Sequence, residues 1–273
     1  MDSRKKWMVA GIASLALTAC SVALLWTVRV STPNKPLAAL ALAVDGTGNS
    51  YTGGSSRENL MDEYSGELHA VLVKHDAAGN LLWQQNTPLA NHVLQVVPLT
   101  DAVLAVVTGS PAIQSITATN PQPAALWLVS ATSGEFLQQI ATFTDRVPVE
   151  ISAANGRLYA ASSRYLENGE CDFYGCSGLR NAQLDAYDFD GNLLASSSYG
   201  SSNILDIHAT ADGALYVLLS ADSNPLRKLD ADLAPLWQAR PDNAFSCTER
   251  QLFVGTDNLY VDCRDGVVEV SAS

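Results

Sequence analysis

The chain has 273 residues and a formal net charge of −12, with 47% hydrophobic and only 16% charged residues. That length supports a large core in one domain or two smaller ones. So acidic a surface repels phosphate backbones, which excludes nucleic acid as a partner.

The first residues carry a positive cluster, Arg4, Lys5 and Lys6, followed by the 13-residue apolar run "WMVAGIASLALTA". This has the build of an export signal and is too short to span a bilayer alone. Leu17-Thr18-Ala19-Cys20 then resembles the lipobox of bacterial lipoproteins. The resemblance implies removal of residues 1–19 as a signal peptide and lipidation of Cys20, for example by palmitate. With Ser21 next, it also implies outer-membrane sorting with the body facing the periplasm. Loss of residues 1–19 leaves 13 basic against 27 acidic residues, or −14. The competing expectation is an inner-membrane signal-anchor, because residues 7–28 form an uncharged stretch of 22 residues.

Beyond residue 30 the apolar residues come in short runs divided by Gly, Asn, Asp, Ser and Pro, which predicts an all-β domain over residues 20–273. Internal repeats run from about residue 39 to 273. "VDGTGNSYTGG", "SAANGRLYAAS" and "HATADGALYVLLS" share a turn followed by a strand, with weaker members in "PLTDAVLAVVTG" and "FVGTDNLYVDC". Their aligned positions Tyr51, Ala105, Tyr159, Tyr216 and Tyr260 are separated by 54, 54, 57 and 44 residues.

Between them recur "VKHDAAGNLLWQQN", "VSATSGEFLQQI", "YDFDGNLLASSS" and "RKLDADLAPLWQA", each a strand, a polar turn and a strand. One repeat is thus four antiparallel strands, the first at about Leu40 to Val44, Ser50 to Gly53, Leu68 to Lys74 and Leu81 to Asn86. Such repetition predicts a β-propeller of about five blades. The repeats resemble those of seven-bladed-type and PQQ-like (quinoprotein-like) bacterial propellers, whose blades read "AVD-x-x-GN-x-Y-x-TG". The Gly-His and Trp-Asp marks of WD40 blades and the recurring Gly-Gly of kelch repeats are absent from the sequence. The final repeat, "NLYVDCRDGVVEVSAS", reaches its polar turn without a last strand, and "LLWTVRV" at 24–30 matches the strand it lacks. The expectation is a ring closed by an N-terminal strand, at about residues 23–30, donated to the last blade.

Aligned inner strands put Leu42, Val96, Glu150, Asp206 and Gln251 at equivalent positions, with Glu150 and Asp206 on neighbouring blades. A carboxylate pair facing the channel could act as acid and base in glycoside hydrolysis, or simply line a hydrated channel. The insertion "SSRYLENGECDFYGCSGLR" sets Tyr165, Phe173 and Tyr174 among polar residues as a candidate binding loop. Cys171, Cys176, Cys247 and Cys263 make an even set for two disulfides, whose pairing spacing alone does not decide. No zinc-type Cys/His spacing occurs, and "DFDGN" at 188–192 breaks the calcium-loop order, so it reads as a hairpin turn and no metal is expected. Without a nucleophile elbow, a P-loop or a dinucleotide fingerprint, no cofactor is expected either. The chain therefore reads as a lipid-anchored propeller that binds or scaffolds a protein or glycan partner, with a carbohydrate-binding propeller or glycosidase as the alternative.

Overall fold

In the computed structural model the described residues run from 37 to 271, apart from 58–67, 88–91, 110–123, 145, 166–170, 173–174, 177–178, 221–224, 240–250, 256–257 and 264–265. The signal sequence, Cys20, the 7–28 run and the closing strand expected at 23–30 therefore lie outside the described residues. Among the described residues no helix is long and apolar enough to cross a membrane.

Among the described residues all strand pairing is antiparallel. The first sheet contains β1 (Leu37–Val44), β2 (Ser50–Arg57), β3 (Leu68–His75) and β4 (Leu81–Asn86), in spatial order β1-β2-β3-β4. The second repeats that order with β5 (His92–Pro98), β6 (Val103–Gly109), β7 (Ala124–Ser130) and β8 (Phe136–Phe143). The third begins with β9 (Arg146–Ala154) and β10 (Arg157–Tyr165), after which β11 (Cys171–Asp172) and β12 (Gly175–Cys176) form a separate two-stranded hairpin. It ends with β13 (Leu179–Asp188) and β14 (Leu193–Ser198). The fourth comprises β15 (Ile204–Ala209), β16 (Leu215–Leu219), β17 (Leu226–Leu229) and β18 (Pro235–Ala239). The last has three described strands, β19 (Gln251–Val254), β20 (Asn258–Cys263) and β21 (Gly266–Ser271). The first four-strand unit agrees with the boundaries read from the sequence to within about four residues at each end.

Four apolar clusters fill the four spaces between consecutive sheets. Tyr51 and Leu72 meet Val93 and Leu104 between the first two, and Leu126 and Ile151 pack between the second and third. Tyr159 and Leu184 meet Ile207 and Leu215 between the third and fourth, and Tyr216 and Leu226 meet Leu252 and Leu259 between the fourth and last. Both faces of the middle strands are buried, as in a propeller, so β6 and β16 read as continuous apolar runs rather than alternating ones. Burying each such Leu stabilises the fold by about 2 kcal/mol.

The polar turns are built by their first side chain. Asp76 Oδ1 accepts the N–H groups of Ala78 and Asn80, at 2.9 and 2.8 Å, while Oδ2 accepts Asn80 Nδ2 at 2.8 Å. Asp188 holds Asp190 and Asn192 in the same way. Gly191 closes that turn at φ +85°, a conformation glycine adopts without strain. "DFDGN" is thus the hairpin turn expected. The turn carbonyls also join sheets: Ala131 O accepts Lys74 Nζ at 2.9 Å and Trp83 Nε1 at 3.1 Å from the preceding sheet.

Candidate functional site

Consecutive connections in an up-and-down sheet fall at opposite ends, and here the two ends differ. One end carries tight turns, at residues 45–49, 76–80, 99–102, 131–135, 155–156, 189–192, 210–214 and 230–234. The other carries the longer connections, including 58–67, 110–123, 166–178 and 240–250. Loops of the second kind commonly bear binding residues on a rigid scaffold.

The inner strands adjoin in the order β1, β5, β9, β15, β19. The first four each contain a one-residue β-bulge at the same place, at Leu40, Leu94, Val149 and Leu205. After the bulge come Ala41, Gln95, Glu150 and Asp206, opposite Gly53, Val107, Ala161 and Leu218. Gln251 stands at the corresponding main-chain position, opposite Asp262. This corrects the sequence alignment, which set Leu42 and Val96 beside the carboxylates. All four strands carry the bulge, so the offset lies in the turns: Ala154 pairs with Arg157 across two residues, whereas Val44 pairs with Ser50 and Pro98 with Leu104 across five, and Leu42 and Val96 instead pair with Thr52 and Val106.

Gln95 is therefore a site residue that sequence reasoning misses. Its amide Nε2 donates to the carbonyl of bulged Val149 at 2.6 Å and to Glu150 Oε2 at 3.4 Å. Its Oε1 is buried with no hydrogen-bond partner. Asp206 Oδ2 accepts the N–H of Leu252, on the last sheet, at 2.6 Å. A polar belt consequently crosses four consecutive inner strands.

Burial, and then the neighbouring charge of Asp206, push Glu150 up to about 7, against the N–H of Ile151. Asp206 is also raised by burial, with the N–H groups of Leu252 and Ile207 opposing the shift. His208, two residues further along β15, is lowered by burial. Near neutrality Glu150 can hold or release a proton, while Gln95 Oε1 and the carboxylates offer acceptors to a donor-bearing ligand.

The two ends of the inner-strand series add an apolar element. Leu42 is 60% exposed, whereas its register equivalents Val96, Ile151, Ile207 and Leu252 are buried. Phe253 on β19 is 52% exposed.

The binding-loop candidates are placed only in part. Tyr165 ends β10 opposite Leu179, and Phe173 and Tyr174 lie outside the described residues. Main-chain register sets Cys171 directly opposite Cys176 across the β11–β12 hairpin. Cys263 ends β20 opposite Gly266, and Cys247 is outside the described residues. Among the described residues no group of three His, Cys, Asp or Glu side chains could hold a metal ion.

No family model matches this chain, and no curated protein matches it. Solved structures do. Hydrazine synthase of Kuenenia stuttgartiensis superposes with a TM-score of 0.54 at 8% identity, over 86% of this chain and 84% of the other. The Dos1 propeller gives 0.53 at 14% identity, over 84% of this chain and 56% of the other. An apocarotenoid oxygenase of Synechocystis gives 0.50 at 12% identity, over 85% of this chain and 57% of its own length. The chain thus spans little more than half the length of the latter two. At these identities the likeness concerns the fold, an all-β propeller of about five four-stranded blades.

Proposed function

We propose that this protein is a binding module of the bacterial envelope, tethered by lipid on Cys20, which takes a ligand at the channel between its inner strands. Such a propeller scaffolds its partner and needs no cofactor. The observation that carries the reading is the polar belt of Gln95, Glu150 and Asp206, with acceptors buried on adjacent strands and Leu42 and Phe253 exposed on the first and last. Acceptors on inner strands flanked by β1 and β19, each carrying an exposed apolar side chain, suit a ligand with hydroxyl donors and an apolar face. A saccharide of the envelope has both.

The Cys171–Cys176 hairpin supplies the second contact. It stands in the connection between β10 and β13, at the long-connection end, and a disulfide between its opposed positions would fix Phe173 and Tyr174 for contact at little entropic cost. In its repeat pattern the chain is similar to the seven-bladed-type and PQQ-like propellers.

One observation favours a glycosidase as the second reading. Glu150 is raised to about 7 beside Asp206, the pattern of a general acid next to a second carboxylate. A glycan array combined with a hydrolysis screen separates the two. The binding reading expects retained, unaltered glycans; turnover that disappears in Glu150→Gln would replace it with the glycosidase. Mass spectrometry of the mature N-terminus tests the tether: acylated Cys20 supports it, and an intact Met1 restores the signal-anchor.

A further inference from the structure

A second set of β-bulges lies on the outermost strands, away from the channel. In β4, β8, β14 and β18 the pairing skips one residue at the same place, and the skipped residues are Leu82, Leu137, Leu194 and Leu236. All four are exposed, by 46 to 57%. A bulge by itself prevents edge-to-edge pairing, and a polar residue would serve there without exposing apolar surface. Leucine in all four equivalent places therefore calls for a contact.

The surroundings say what kind. Each bulge follows directly on a tight turn, and these turns are acidic: Glu135 before Leu137, Asp188 and Asp190 before Leu194, Asp230 and Asp232 before Leu236, and Asp76 before Leu82. Turns also lean on the outer strand of the preceding sheet. A Cβ placed on Gly134 would meet Trp83 at 2.8 Å, and one on Gly191 would meet Ile140 at 2.2 Å. Leucines and carboxylates consequently alternate along the tight-turn rim. Arg157 meets one of these carboxylates, that of Asp232, at 3.0 Å.

We infer that this rim is a docking surface for a basic, amphipathic protein segment, whose apolar side chains cover the bulged leucines while its Lys and Arg meet the turn carboxylates. Charge complementarity selects this occupant. A second copy of the chain would bring like charges together, and an anionic bilayer would be repelled. The surface is distinct from the channel and does not depend on the saccharide reading.

The test uses the full chain and a synthetic amphipathic Leu/Lys helical peptide, with a Leu/Glu peptide of the same pattern as control. The Leu/Lys peptide binds the wild-type protein and binding weakens with salt. In a variant carrying Leu82→Thr, Leu137→Thr, Leu194→Thr and Leu236→Thr, affinity falls at least tenfold at unchanged Tm. If the fourfold variant does not fold, the pairs Leu82→Thr/Leu137→Thr and Leu194→Thr/Leu236→Thr are measured separately, each expected to lose at least threefold. Unchanged peptide affinity in folded leucine variants overturns the proposal. So does leucine-dependent self-association, or leucine-dependent binding to phosphatidylcholine vesicles, without leucine-dependent peptide binding.

Discussion

Glu150 on β9 and Asp206 on β15 occupy the same register position on adjacent inner strands, each the first paired residue after a one-residue bulge. Only through that shared register does the charge of Asp206 help to raise Glu150 to about 7. The ordinary value for a glutamate is 4.5, so the folded state binds this proton more tightly than the unfolded chain does. Its contribution to stability is complete below about pH 4.5 and is lost as pH rises through about 7, a change on the order of 3 kcal/mol. Tm measured between pH 4.5 and 8 should fall more steeply for wild type than for Glu150→Gln. Parallel curves would show that Glu150 titrates normally.

The two equivalent tryptophans make a matched pair. Trp83 Nε1 donates to Ala131 O at 3.1 Å, whereas Trp237 Nε1 is buried with no hydrogen-bond partner. Phe at position 83 loses a bond and orphans part of an acceptor; Phe at position 237 removes an unsatisfied donor. Urea titration should find Trp83→Phe less stable than Trp237→Phe by about 1 kcal/mol.

Glycine substitutions separate backbone strain from crowding. Gly156 has φ +73° with open space where a Cβ would stand, while at Gly191, φ +85°, the Cβ would lie 2.2 Å from Ile140 Cγ2. Gly156→Ala should cost about 1 kcal/mol from the left-handed backbone alone. Gly191→Ala should cost about 2 kcal/mol more, because the turn must lift off the neighbouring sheet. Equal losses in urea titration would mean that the turn and β8 are not in contact.

The Asp188 carboxylate is committed to the N–H groups of Asp190 and Asn192 and to Asn192 Nδ2. Millimolar calcium should therefore leave Tm unchanged, and Asp188→Ala should lower stability by about 1 kcal/mol with or without the ion. A calcium-dependent rise in Tm that Asp188→Ala removes would turn this turn into an ion site.

Strand and turn identity was legible because it rests on local chemistry. The run Leu68–Lys74, the Asp-Gly turn at 190–191 and the period of about 54 residues each carry their own signal, and the sheets follow them. The channel was legible only in part. Glu150 and Asp206 could be paired by counting, but the β9–β10 turn is shorter than those of β1–β2 and β5–β6, so counting back from the aligned positions set Val96 in the place that belongs to Gln95. The apolar stretch "LLW" at 81–83 likewise gives no sign of its placement: Leu81 and the bulged Leu82 are exposed, and only the half-buried Trp83 bonds the next sheet.

Ligand held by the inner strands and the long-connection end must shield their amides from exchange. Hydrogen exchange of the full chain, with and without a saccharide retained on the array, tests this most directly. Added protection is expected in β5, β9 and β15 and in the 166–178 connection, with the tight turns unchanged. Protection confined to the tight turns, with the inner strands exchanging as before, would contradict it.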